Sequence, residues 1–96
     1  MFILSLTYQK SLEEVDVHLK AHVAFLETYY SQGIFLASGR KVPRDGGIIL
    51  ALAPSREVLE TIIACDPFCI HGIAHYDIIE FIPTMSSPEL EFTINR

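Results

Sequence analysis

Residues 62–81 read Ile62-Ile63-Ala64-Cys65-Asp66-Pro67-Phe68-Cys69-Ile70-His71-Gly72-Ile73-Ala74-His75-Tyr76-Asp77-Ile78-Ile79-Glu80-Phe81. A residue that precedes proline is pushed out of the α region, so a helix entering this stretch must stop before Pro67 and leave Asp66 non-helical. Beyond the break the chain is expected to form a long strand from about Ile70 to Ile82, stopped by Pro83. A helix that ends here and a strand that follows it would complete whatever the upstream residues begin.

Upstream of the break, Pro54-Ser55-Arg56-Glu57 opens the helix with Ser55 as cap, and Val58, Leu59, Ile62 and Ile63 supply a buried stripe. Before that, Ile48 to Ala53 reads as a strand apolar on both faces, and Ile34 to Val42 as a strand that turns polar halfway along. Between them lies Val42-Pro43-Arg44-Asp45-Gly46-Gly47, with proline where a turn wants fixed φ and glycine where it wants positive φ, which predicts a hairpin. At the start of the chain Phe2, Leu4, Leu6 and Tyr8 alternate with Ile3, Ser5 and Thr7, the period of a strand. Ser11 and Glu14 form a capping box that starts a first helix, and Gly33 can close it in the left-handed conformation. Leu12, Val15, Leu19, Leu26, Tyr29 and Tyr30 share one stripe of that helix, and His22 lies in the middle of it.

Strand, helix, strand, strand, helix, strand is the split βαβ order of an α+β, ferredoxin-like βαββαβ fold: a four-stranded antiparallel sheet with two helices on one face. This domain is expected over residues 1–83, with residues 84–96 as a C-terminal tail rich in Ser, Pro and Glu. The other sheet face is left uncovered. Since the third strand is apolar on both sides, a homodimer packing sheet against sheet is the simplest cover.

The chain has 96 residues, half of them hydrophobic, and a net charge of −5 with its basic residues scattered. That composition argues against disorder, and against nucleic acid or an anionic membrane as partner. No apolar run approaches the roughly 20 residues of a membrane span, and Met1 to Leu6 lacks a basic signal-peptide start, so a cytoplasmic location is the expectation. Cys65 and Cys69 are then expected to be free thiols.

An imidazole inside an apolar helix stripe must find a partner in the interior or in a cleft. For His22, Asp66 at the break is the partner we expect, beside a Ser38-Gly39 turn. Each residue also has an ordinary explanation: His22 as a core histidine bonded to a carbonyl, Asp66 as the cap of a short helical turn with Pro67 at its first position and Phe68 plugging the core. The two readings are compatible, because a capping carboxylate keeps an oxygen free for an imidazole. Cys65, Cys69, His71 and His75 resemble zinc ligands in type. On one strand, however, His71 and His75 would lie about 13 Å apart at roughly 3.3 Å per residue. No metal and no cofactor is expected.

These features in this order, His22 within Ala21-His22-Val23-Ala24-Phe25-Leu26, the helix end at Gly33, Ala37-Ser38-Gly39, Gly46-Gly47 and Asp66-Pro67-Phe68, resemble the YciI-like (YCII-related) family. The resemblance covers residues 1–83 and implies a dimeric α+β barrel of ferredoxin-like subunits. It also implies an acid-base pair in a cleft, here His22 and Asp66; dehydrochlorination of an aromatic ring is one activity linked to a relative. Two positions depart from the family pattern: Arg40 stands where proline is common after the Ser-Gly turn, and Leu19 where some members carry arginine. Arg40 would supply a cation to the site, or be an ordinary solvated hairpin residue.

Two functions follow from this. In the first, the chain is a lyase- or hydrolase-type enzyme acting on a small polar or anionic molecule, with His22 and Asp66 catalytic and Ser38, Gly39, Arg40 and Phe68 binding substrate. In the second, it is a non-catalytic homodimeric ligand-binding or accessory module in which His22 and Asp66 hold helix to helix end. Cyclohydrolase-type nucleotide chemistry has little support, since there is neither a zinc-ligand set nor a phosphate-cradling glycine loop.

Overall fold

A computed structural model describes residues 1–96. The elements run β1 (Phe2–Tyr8), α1 (Leu12–Ser31), β2 (Phe35–Arg40), β3 (Gly46–Ala51), α2 (Arg56–Ile63), α3 (Pro67–Ile70) and β4 (Ala74–Glu80), with a 3-10 turn over Pro88–Thr93. The four strands form one antiparallel sheet in the order β2-β3-β1-β4, the ferredoxin-like arrangement.

The register assigns the faces. Phe2 lies opposite Ala51, and Leu4 lies between Ile49 and Ile78; on the other parity Ile3 lies between Leu50 and Ile79, and Ser5 between Ile48 and Asp77. Phe2, Leu4, Leu6, Ile49 and Ala51 are buried in one cluster with Val15 and Phe25 of α1, Leu59, Ile62 and Ile63 of α2, and Phe68 of α3. The helices therefore cover that parity alone.

Both long helices begin as expected: Ser11 accepts from the Glu14 amide at 3.3 Å, and Ser55 from the Val58 amide at 3.2 Å. Gly33 closes α1 with a φ of +72°. The buried face of α1 is rotated from the expected stripe toward Phe25, which is buried, whereas Leu12 and Leu19 are exposed. Val58 of α2 is also exposed, because its helix buries only the Leu59, Ile62 and Ile63 edge.

Several boundaries move. Asp66 caps a short helix, so β4 begins at Ala74 rather than near Ile70. β2 ends at Arg40 instead of Val42, and β3 runs from Gly46 to Ala51 instead of from Ile48 to Ala53. The two hairpin glycines are strand residues and do not have positive φ. At Gly46 the reason for glycine is close approach, since a Cβ there would collide with the Leu6 carbonyl of β1.

The chain beyond β4 returns to its start. The Met1 amine donates to the carbonyls of Phe81 at 3.0 Å and Arg96 at 2.6 Å, the Asn95 amide donates to the Pro83 carbonyl at 2.8 Å, and Thr93 is buried. No helix is long and apolar enough to cross a membrane.

Gly46→Ala is expected to lower unfolding stability by about 1–3 kcal/mol, because backbone rather than a flexible side chain must give way. Gly39→Ala, where a Cβ would meet nothing within 4 Å, is the control and is expected to change it by less than about 0.5 kcal/mol. Urea melts of both variants check this.

Candidate functional site

The Asp66 carboxylate is fully buried, a position that costs several kcal/mol unless donors surround it. Three elements supply them. His22 Nδ1 of α1 lies 2.8 Å from Oδ1, and the Phe68 amide at the start of α3 donates to the same oxygen at 3.0 Å. The Tyr76 hydroxyl of β4 donates to Oδ2 in a short hydrogen bond. A carboxylate only accepts, so the geometry places a proton on His22 Nδ1. In the neutral ring Nε2 then carries the lone pair. Nε2 makes no hydrogen bond within the chain and is not sealed from solvent. Phe68 stacks on the imidazole, with ring centroids 4.0 Å apart and planes within 4°, and this fixes the ring's plane while Asp66 fixes its rotation.

Tyr76 was absent from the expected site. Its position on β4 shares the helix-facing parity of Leu6, so its hydroxyl points into the layer where Asp66 lies. Alternation along β4 carries that parity, but only the register shows which buried group the hydroxyl reaches. Its phenol pKa is raised well above the ordinary value, first by burial, then by the Asp66 charge and the hydrogen bond to it.

His22 opens on a cleft of about 140 Å³ between α1 and the β2-β3 end of the sheet. The expected residues Ser38, Gly39, Arg40 and Phe68 all line it, together with Leu6, Tyr8, Leu19, Val23, Leu26, Gly47, Ile48 and Ile49. Two backbone features create the space. A register shift between Phe35 and Ala37 pairs Phe35 with Ala51, Ser38 with Ile49 and Arg40 with Gly47, so Phe35, Ser38 and Arg40 share the helix-facing side. Unbroken alternation would have turned Ser38 and Arg40 away. Gly47 then lies between Leu6 and Arg40 across the sheet, and its missing side chain leaves the floor open. Ser38 Oγ is tied to the Tyr30 hydroxyl of α1 by a short hydrogen bond.

The histidines and cysteines named as zinc-like are dispersed. His71 is not on β4 but ends α3, where it stacks on His18 of α1 at 4.3 Å. His75 lies on the uncovered sheet face, 3.2 Å from Asp77. The strand spacing invoked for His71 and His75 therefore does not apply, and no three His, Cys, Asp or Glu side chains converge as a metal site. Cys65 and Cys69 are free and exposed.

The YCII-related domain profile matches residues 1–82. The chain belongs to the YCII-related family. Among solved structures, this YCII-related chain is similar to 5-chloro-2-hydroxyhydroquinone dehydrochlorinase from Burkholderia phenoliruptrix AC1100, in complex with 2,5-dihydroxybenzoquinone. The TM-score is 0.70 at 18% identity, covering 84% of this chain and 93% of that one. At that identity the likeness concerns the fold. No curated protein matches the chain.

The raised pKa of Tyr76 has a stability consequence. Folding favours the neutral phenol, so the contribution is complete below the unfolded tyrosine value near 10 and is lost as pH rises above it, by about 1.4 kcal/mol per pH unit. An ultraviolet titration is expected to show one of the four tyrosines ionising only as the chain unfolds. In Tyr76→Phe that late component disappears and stability falls by about 1–3 kcal/mol, since Oδ2 loses its donor.

Proposed function

We propose that the chain is a small-molecule enzyme in which His22 and Asp66 act as an acid-base pair, with elimination or hydrolysis as the reaction type. The observation that carries this reading is the asymmetry of His22: Nδ1 is held by a buried carboxylate, while Nε2 is unpaired on a side chain that lines an open, largely apolar cleft. In an elimination, Nε2 takes a proton from the substrate, the released electron pair forms the new double bond, and the leaving group departs with its own pair. Asp66 stays ionised and offsets the imidazolium charge. In a hydrolysis the same nitrogen would take a proton from water. Ser38, oriented by Tyr30, would hold a polar substituent; Gly39 would let substrate approach the backbone, and Phe68 would wall the pocket. Similarity in fold to a dehydrochlorinase is consistent with the first reaction.

A second reading is a non-catalytic ligand-binding module. It is supported by the structural use of Asp66, whose bonds to the Phe68 amide and Tyr76 tie α3 to β4 whatever the cleft does. In either case we infer a homodimer. Ile3, Ile48 and Leu50 are half-buried and Ile79 is 53% exposed on a face that no helix covers, and a second sheet would bury them. A reducing, cytoplasmic setting fits the two unpaired thiols.

In a screen of chlorinated hydroquinones and small cyclic esters, the enzyme reading expects turnover that falls by about 10² to 10⁴ in His22→Gln. At a pH high enough for the His22 imidazole to be neutral, nitrogen-15 spectra of the wild type should show its proton on Nδ1, and Asp66→Asn should populate the other tautomer. Equal rates in folded His22→Gln would falsify the catalytic role, and a wild-type Nε2–H tautomer would remove its geometric basis. Light scattering should give twice the 10.8 kDa chain mass, and Leu50→Lys should give the single-chain mass; a monomeric wild type rules out the dimer.

A further inference from the structure

The cleft beside His22 has a size, a lining and a charge that together define a class of ligand. Its volume, about 140 Å³, is close to that of an apolar cavity of roughly 150 Å³ that takes up one benzene molecule. Leu19 and Val23 are 36% and 42% exposed on α1. No element of the fold covers these apolar groups; they form one wall of the cleft, with Phe68 beyond them. This is a slot for a single six-membered ring.

At its mouth is Arg40. The chain carries a net charge of −5, yet three of its seven basic residues, Arg40, Lys41 and Arg44, fall within this hairpin. Arg44 is bound to Asp16 at 2.6 Å, and Lys41 reaches the Thr7 hydroxyl at 3.5 Å. Arg40 has neither an acidic partner nor a side-chain hydrogen bond within the chain. It lines both the apolar cleft and a shallower groove that adjoins it. An unpaired guanidinium in that position offers the planar two-donor fork that matches a carboxylate.

We propose that the cleft binds a monocyclic carboxylate, with its ring against Leu19, Val23 and Phe68 and its carboxylate held by Arg40. This rests on the acid-base reading above and names the substrate class for the same site. Arg40 is the specificity residue, and the ring lies beside His22, where a ring proton or substituent can meet Nε2.

Benzoate is a probe of this class, and benzyl alcohol is a neutral control of similar shape. Ligands of this size are expected to bind in about the millimolar range. Titration of nitrogen-15-labelled protein with benzoate should shift the amides of Gly39, Arg40, Gly47 and Phe68, with an affinity about tenfold tighter than that for benzyl alcohol. Arg40→Gln should remove that advantage and leave benzyl alcohol binding unchanged, while Arg40→Lys should recover part of it. The proposal is overturned if benzoate shifts no cleft amide, if benzyl alcohol binds as tightly, or if Arg40→Gln retains the full benzoate affinity. The titration needs no turnover, so it separates the two claims. Benzoate binding that survives in His22→Gln while turnover also survives would defeat the acid-base reading and uphold the ligand class. Loss of turnover in His22→Gln with no benzoate selectivity in the wild type would do the reverse.

Discussion

A fully buried carboxylate constrains this small fold more than any other single group. Asp66 accepts from His22 on α1, the Phe68 amide on α3 and Tyr76 on β4, so a helix 44 residues away in sequence and the two elements that follow the break are tied to one side chain. Ionised carboxylates leave water only when their acceptor sites are filled, and each partner is therefore held in place by the demand of the others. The break at Asp66-Pro67 meets this demand locally. Proline keeps Asp66 out of the helix, and the cap position turns its side chain back onto the Phe68 amide. That turn also sets Phe68 flat against the imidazole, so the same few atoms orient His22 and wall the cleft it faces.

The parts of the site that were legible in the sequence are those written in local chemistry. Asp before Pro identifies a cap, a histidine within an apolar helix stripe demands a partner, and an alternating run marks a strand. These signals sufficed for the element order and for pairing His22 with Asp66. Tyr76 was not legible, because alternation gives the parity of a strand residue but not the group opposite it across a layer. The start of β4 was misplaced for a related reason. Ile70 and Ile73 read as apolar strand residues, whereas Asp66-Pro67 starts a helical turn that carries the chain as far as Ile70 before the strand can begin.

The cleft depends on a feature that a period-two pattern cannot show. One additional residue between Phe35 and Ala37 transfers Ser38 and Arg40 to the helix side. Without it they would point to the open sheet face, and Ala37 and Gly39 would take the helix-facing side instead. The glycines after the hairpin were expected for their turn geometry, but their use is steric. Gly46 lets β1 and β3 approach, and Gly47 keeps the floor of the cleft empty between Leu6 and Arg40.

The rotated face of α1 has the same origin. Turning the buried edge toward Phe25 and Tyr29 packs them against Phe35 at 5.7 and 5.5 Å between ring centres. It leaves Leu19, Val23 and Leu26 facing the cleft. An apolar stripe wider than the core requires is usually an excess of packing surface, but here its surplus edge lies beside His22, whose Nε2 the fold leaves unpaired. Low polarity around that nitrogen strengthens any charge interaction made there, and the same cleft is lined by Arg40, a positive charge with no acidic partner. The helix that builds the hydrophobic core thus also supplies the dry wall of the site, and a single rotation of its buried face serves both.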